Sequence, residues 1–294
     1  MPDHPLEPLV ALDGVTQAVA EARAACEELR WHRGLRRQWL VARTESGVRS
    51  AHAGLAADGV RVPLDVVRDV ARGAATPGGP DGLAVAGALA VQAEVERLMA
   101  APGATRAAGS VPLGQLLPRL HAVGGGPAAG RSDAPGRPRA SQPPQDLRGL
   151  GPAPAGAELA DRLALLAELA ATPLPPSVPA LVLAAVVHGE VLALRPFVAG
   201  NGAVARGVLR HLLTRDGVDP VGVVVPDVVW AARPHVHLSA AARFATGTPE
   251  GVATWLRHVA GAVRAGAQEG TRVADAVVAR RLAPPDGDRD TDGP

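Results

Sequence analysis

The stretch Arg195-Pro196-Phe197-Val198-Ala199-Gly200-Asn201-Gly202-Ala203-Val204-Ala205-Arg206 constrains this chain more than any other. It separates two segments of helical pattern, 177–194 and 203–216, the first apolar almost throughout until His188. It therefore reads as helix, tight turn, helix. Gly200 and Gly202 give the turn access to φ > 0. The amides that follow open a helix, where unpaired N–H groups and the positive end of the helix dipole favour an anion. Arg206 lies one turn further on and can reach the same anion. Asn201 is the only asparagine in the chain and stands between two glycines. Gly200, Asn201, Gly202 and Arg206 are thus the expected phosphate- or nucleotide-binding residues, with Arg195 adding positive charge.

A chain of 294 residues holds one large domain or two modest ones. Hydrophobic residues make up 47 % but aromatics only 2 %, so the core must be built from Leu and Val stripes and small-residue helix contacts. Lys, Ile and Tyr are absent while Ala, Gly, Pro and Arg abound, the mark of a GC-rich genome. An arginine here therefore says less than usual. Basic and acidic residues number 30 and 29, which gives no general attraction to nucleic acid or anionic lipid. Cys26 is alone, excluding an internal disulfide or a cysteine zinc site. No apolar run approaches the ~20 residues of a membrane span, and no basic-then-apolar leader opens the chain. The expectation is a cytoplasmic protein with no membrane partner.

Along the chain, Val15, Val19, Ala22, Cys26 and Leu29 recur at helical spacing, within a helical region expected over 14–43. Arginines cluster between Arg30 and Arg43; Trp31, Leu35 and Trp39 at i, i+4, i+8 point to an inward apolar face with solvated arginines. A second helix–turn–helix follows over 45–73, with Gly59 as a helix stop and Pro63 in the next first turn. Helical patterns continue over 81–101, 110–123 and 157–172, then at 239–245 and 248–267, where Thr248-Pro249-Glu250 is a start signal. His188 reads as a core histidine, two turns from Arg195. His235 and His237 diverge on a helix and lack accompanying acids or cysteines, which argues against a metal site. Between Gly124 and Ala157 the composition shifts to Gly, Pro, Ser, Arg and Gln, as in a linker or a mobile lid. Residues 1–13 and 282–294 are expected to be disordered tails.

The 195–206 stretch resembles the Fic (Fido) family, whose pattern runs His-x-Phe-x-Asp/Glu-Gly-Asn-Gly-Arg-x-x-Arg. Phe197, Gly200, Asn201, Gly202 and Arg206 match, as does the common proline at Pro196. Three chemical positions depart: Arg195 stands for the catalytic His, Ala199 for the metal-binding acid and Ala203 for the first Arg. The resemblance implies an all-α Fic-like helical bundle over 14–281, with 124–157 as a flap or linker and Gly136-Arg137-Pro138-Arg139 as its remnant. It also implies ATP or another nucleotide as ligand, AMP transfer to a protein hydroxyl as the nominal activity, and a protein target as partner. Gly54-Leu55-Ala56-Ala57-Asp58-Gly59 is similar to the inhibitory helix of many Fic proteins, which puts Asp58 opposite Arg206 as the inhibitory acid.

The departures bear on chemistry. Ala199 cannot hold Mg²⁺, and Arg195 cannot act as a general base at neutral pH. Losing a general base costs about 10²–10⁴ in rate. No catalytic residue of the pattern is intact. Three functions stay open: a catalytically impaired Fic-fold binding module, a transferase of altered chemistry, and a non-enzymatic helical scaffold or interaction module. A DNA-binding regulator rests on the Arg30–Arg43 cluster alone, and a phosphate-binding-loop NTPase is excluded because the chain has no Lys.

Overall fold

The computed structural model describes residues 4–76, 78–103, 111–125 and 135–282. Among them it holds twelve α-helices and no strand. These are α1 (Glu7–Val10), α2 (Val15–Arg30), α3 (Leu35–Ala57), α4 (Leu64–Ala71), α5 (Gly79–Arg97), α6 (Leu113–Leu120), α7 (Gly156–Ala171), α8 (Ala180–Leu194), α9 (Asn201–Arg215), α10 (Asp227–Ala232), α11 (Pro234–Ala245) and α12 (Pro249–Val278). A π-helical turn, His121–Gly125, extends α6. The expected all-α architecture is the one observed. No helix among the described residues is long and apolar enough to cross a membrane.

Helix α8 is the hub because its sequence leaves no polar face. From Leu181 to Gly189 every residue is buried, and so are those from Val191 to Leu194. It packs against α7, α9, α11 and α12, while α12 also runs along α2 and α3. Trp255 of α12 is fully buried and donates to the carbonyl of Ala185 at 2.8 Å, so its polar edge is satisfied inside the core.

Local chemistry sets the ends of the helices around the site. Helix α3 closes in a Schellman arrangement: Val60 N bonds Leu55 O at 2.9 Å and Gly59 N bonds Ala56 O at 3.2 Å. Gly59 takes φ 90°, a conformation that a side chain would strain. Pro63 precedes α4 as its N-cap. At the start of α12, Thr248 Oγ1 accepts from Gly251 N, as the start signal predicts.

Several expectations are corrected. Trp31 does not point inward: it is 65 % exposed, because α2 ends at Arg30 and α3 begins only at Leu35, which breaks the i, i+4, i+8 register. Leu35 is buried, and Trp39 lies under the Arg43 guanidinium at 4.5 Å. Arg43 itself is buried and donates to the carbonyls of Val221 and Ala100. Residues 4–13 form part of the fold, since Leu6, just before α1, is buried and Glu7 accepts from Ser177. Helix α12 runs on to Val278 rather than ending at 267, and α10 has no counterpart in the sequence expectation. Beyond Leu282, the tail expectation lies outside the described residues.

Candidate functional site

The turn between α8 and α9 is built on two left-handed residues. Arg195 caps α8 at φ 45° and Gly200 caps α9 at φ 80°. Pro196 cannot continue α8, so the chain must turn. For a non-glycine residue such as Arg195 the left-handed state costs about 1–2 kcal/mol, and surrounding bonds hold it there. Its carbonyl accepts from Arg139 Nε at 2.7 Å.

Arg139 is the anchor of the segment 135–155. It is buried, and its guanidinium also donates to the carbonyls of Leu194, Gln142 and Pro154. Its amide donates to Pro196 O at 2.8 Å, and Gln145 N donates to Val198 O at 2.7 Å. The described part of the expected lid is therefore tied across the turn, because arginine donors meet carbonyls that the end of α8 leaves unpaired. Residues 126–134 lie outside the described residues. His121 adds a further tie. Its ring stacks on Phe197 with centroids 3.9 Å apart, its Nδ1 accepts from Gly136 N, and its Nε2 lies 3.2 Å from Ala199 O. Since Nδ1 accepts, Nε2 carries the proton, and burial pushes this imidazole below its ordinary pKa.

Asn201 is fully buried and organises the turn. Its side chain accepts from Phe197 N and donates to Phe197 O, both at 2.9 Å. Its Nδ2 also donates to Asp146 Oδ1 at 2.7 Å, and its backbone N–H donates to Asp146 Oδ2 at 2.7 Å. Asp146 is thus a carboxylate seated on the first amide of α9. Burial pushes its carboxyl up, against the two bonds from Asn201 that hold it down. The amides of Gly202 and Ala203 have no hydrogen-bond partner among the described residues.

Arg206 is buried and makes a two-pronged pair with Asp58, Nη1 to Oδ1 at 3.0 Å and Nη2 to Oδ2 at 2.5 Å. Its Nε lies 3.5 Å from buried Asp227. Burial works against the charge, but Asp58 and Asp227 outweigh it and hold the guanidinium above its ordinary pKa. The pair fits because two glycines flank it: a Cβ on Gly54 would stand 2.9 Å from Arg206 Nε, and one on Gly202 would stand 3.0 Å from Asp58 Oδ1.

A cavity of about 550 Å³ opens beside these groups. Its walls are largely apolar, including Leu55, Ala88 and Leu238, with Asp58, Asp146, Arg148 and Arg206 as charged points. Ala199 and Ala203 line it with methyl groups where larger polar side chains would fill space. Of the residues the sequence singled out, Gly200, Asn201, Gly202, Arg206 and Asp58 come together here. Arg195 does not. Its guanidinium donates to Gly151 O at 2.7 Å and Leu147 O at 3.4 Å, because buried cationic donors with carbonyls in reach bond them.

Asp146, one of only two acids between 124 and 157, escapes sequence reasoning, and His237, which the sequence sets aside as a metal ligand, lines the cavity. His237 stacks near His188 and Trp230 and lies 3.2 Å from His258 Nε2. His188 is a core residue bonded to Ala205 O. Among the described residues no group of three His, Cys, Asp or Glu side chains could hold a metal ion. Ala199 offers no ligand, and both nearby carboxylates already accept N–H donors, so these residues do not fit Mg²⁺.

Solved structures show the same architecture. A Fic family protein from Desulfovibrio desulfuricans G20 superposes with a TM-score of 0.69 at 19 % identity, over 90 % of this chain and 75 % of that one. Fic-1 (residues 134–508) from C. elegans gives 0.62 at 17 %, over 92 % and 75 %. A Fic domain containing signaling protein from Bacteroides thetaiotaomicron gives 0.65 at 14 %, over 88 % and 98 %. No family model matches the sequence, and no curated protein does. The chain has the Fic (Fido) fold.

Proposed function

We propose that this Fic-fold protein is a binding module for a phosphorylated ligand, a nucleotide above all, and that it does not carry out ordinary AMP transfer. The observation that carries the reading is the cavity itself, lined together by Gly200, by Ala203 with its open amide, and by the buried Arg206. A phosphoryl group there would meet backbone donors, the helix dipole and one fixed cation. What transfer chemistry requires is missing from the same place. Position 195 carries a guanidinium turned onto Leu147 and Gly151, and position 199 a methyl group.

Asp58 acts in this reading as an internal competitor, its carboxylate standing where ligand oxygens would meet Arg206. The test is calorimetric titration of ATP and ADP into the wild type and into Asp58→Ala. Binding that is weak in the wild type and at least tenfold tighter in the variant is the expected result; heat from neither protein would sink it. A scaffold role is the second reading, favoured because Arg206 and the Asn201 amide already have internal partners. It predicts that no nucleotide shifts the melting temperature of either protein.

A further inference from the structure

Asp146 is not explained by packing alone. It comes from a segment without regular structure, yet both carboxylate oxygens are spent on Asn201, one on the amide that opens α9 and one on the side chain that shapes the turn. A carboxylate in that place imitates an anionic ligand: it has the charge, the acceptor geometry and the position at the helix start. The next residue, Leu147, is held at φ 51°, a left-handed state that a leucine takes only when its surroundings impose it. Arg195 contributes to that constraint, donating to Gly151 O at 2.7 Å and to Leu147 O at 3.4 Å. Arg195 is itself left-handed and fastened through its carbonyl to Arg139. The strap 145–151 is thus strained just where it delivers its carboxylate; Gln145 N on Val198 O and buried Leu150 hold its two ends, and the Arg195 guanidinium holds the stretch between them.

We infer that Asp146 is a strap-borne competitor for the α9 N-terminus and that Arg195 is the positioning residue that latches the strap. The inference rests on the binding reading above and concerns its regulation. The two competitors are separate: Asp58 guards the guanidinium from the C-cap of α3, and Asp146 guards the Asn201 amide from the strap. A ligand with one anionic group can replace one of them. A ligand with two linked phosphoryl groups can replace both and gains the strain released at Leu147.

The experiment uses the full chain and inorganic pyrophosphate without added metal. Calorimetry compares Asp58→Ala with Asp58→Ala/Asp146→Asn and Asp58→Ala/Arg195→Gln, and amide hydrogen exchange follows Gln145 to Gly151 and Asn201 in each. Asparagine keeps the size of Asp146 and one acceptor but loses the charge. The expected result is pyrophosphate bound at least tenfold tighter in both double variants, and faster exchange at Asn201 when pyrophosphate-free Arg195→Gln opens the strap. Equal affinity in all three, with strap and Asn201 exchange unchanged in the Arg195→Gln chain, would overturn the inference and leave the binding reading standing. No binding to any of the three would overturn both. A purely structural role for Arg195 predicts lower melting temperature with no gain in pyrophosphate affinity.

Discussion

The guanidinium of Arg195 and the carbonyl of Gly151 are joined by a 2.7 Å hydrogen bond, which ties the end of α8 to a segment 44 residues earlier. In the Fic pattern this position carries a catalytic histidine. Here the residue is 4 % exposed and its guanidinium faces backbone acceptors, so in this chain the position serves as a fastening. Its companion Arg139 does the same from the strap side, and the two place like charges close together. Burial, and then the neighbouring Arg139 charge, lowers the pKa of Arg195; burial lowers that of Arg139. Both stay charged at neutral pH.

Arg139→Ala should be among the most damaging single substitutions in the chain. It strips donors from the carbonyls of Leu194, Arg195, Gln142 and Pro154. Leaving a buried acceptor unpaired costs about 1–3 kcal/mol, so a loss of several kcal/mol is expected in urea unfolding. Arg139→Lys should recover little of it, because one ammonium cannot span acceptors spread around a planar fork.

The Arg206 pair supports an ordered pair of outcomes. Arg206→Ala abandons Asp227, which is buried, and should cost roughly 3–5 kcal/mol. Asp58→Ala should cost much less, since Asp58 is 38 % exposed and Asp227 still faces the guanidinium. Gly54→Ala should fall between them at about 1–3 kcal/mol, because its methyl group would push on Arg206 Nε. Equilibrium unfolding of the three variants checks the order; a larger loss in Asp58→Ala than in Arg206→Ala would contradict it.

Acid should weaken the fold earlier than carboxylate protonation alone would. Burial lowers the pKa of His121, His188, His237 and His258, with His188 down to about 3. In the unfolded chain these imidazoles bind protons near pH 6.5, the ordinary value. Their stabilising contribution is therefore complete above pH 6.5 and falls as the pH drops below it, in the case of His188 until about pH 3. Each such histidine steepens the decline by up to about 1.4 kcal/mol per pH unit. Urea unfolding between pH 7.5 and 5 should show it, and His188→Gln should lower the slope by one proton.

Much of this fold can be read from the sequence, and the reasons for the gaps are physical. Helices α2, α5, α8 and α9 announce themselves by apolar spacing because each buries a stripe or, for α8, its whole surface. The facing of Asp58 and Arg206 follows from the resemblance and from no local pattern, since 148 residues separate them. Helix α10 is too short for a period to show, lying between Pro226 and Arg233. Asp146 is the hardest case. Its segment is rich in Pro and Gly and carries no periodicity, so nothing local says that it is tied down. The order comes from Arg139, which bonds the Leu194 and Arg195 carbonyls left by the end of α8, and from Arg195, which bonds carbonyls of the segment itself.

The departures at positions 195 and 199 can be reversed, and the structure says what else must change. Arg195→His with Ala199→Asp introduces the two missing Fic-pattern groups, the second of them on the cavity wall. The first change removes the bonds to Leu147 and Gly151, so the strap loosens. The second puts a carboxylate at position 199, on the wall that Asp146 also lines, where the two repel. Asp58 would still cover Arg206. The double variant alone should therefore show little AMP transfer, and adding Asp58→Ala should raise it by at least tenfold, measured as label transferred from ATP labelled in its α-phosphate to proteins of a lysate. A further Arg206→Ala should abolish the signal. If the triple variant transfers nothing while it binds ATP, the cavity holds nucleotides in a pose that the restored histidine cannot use.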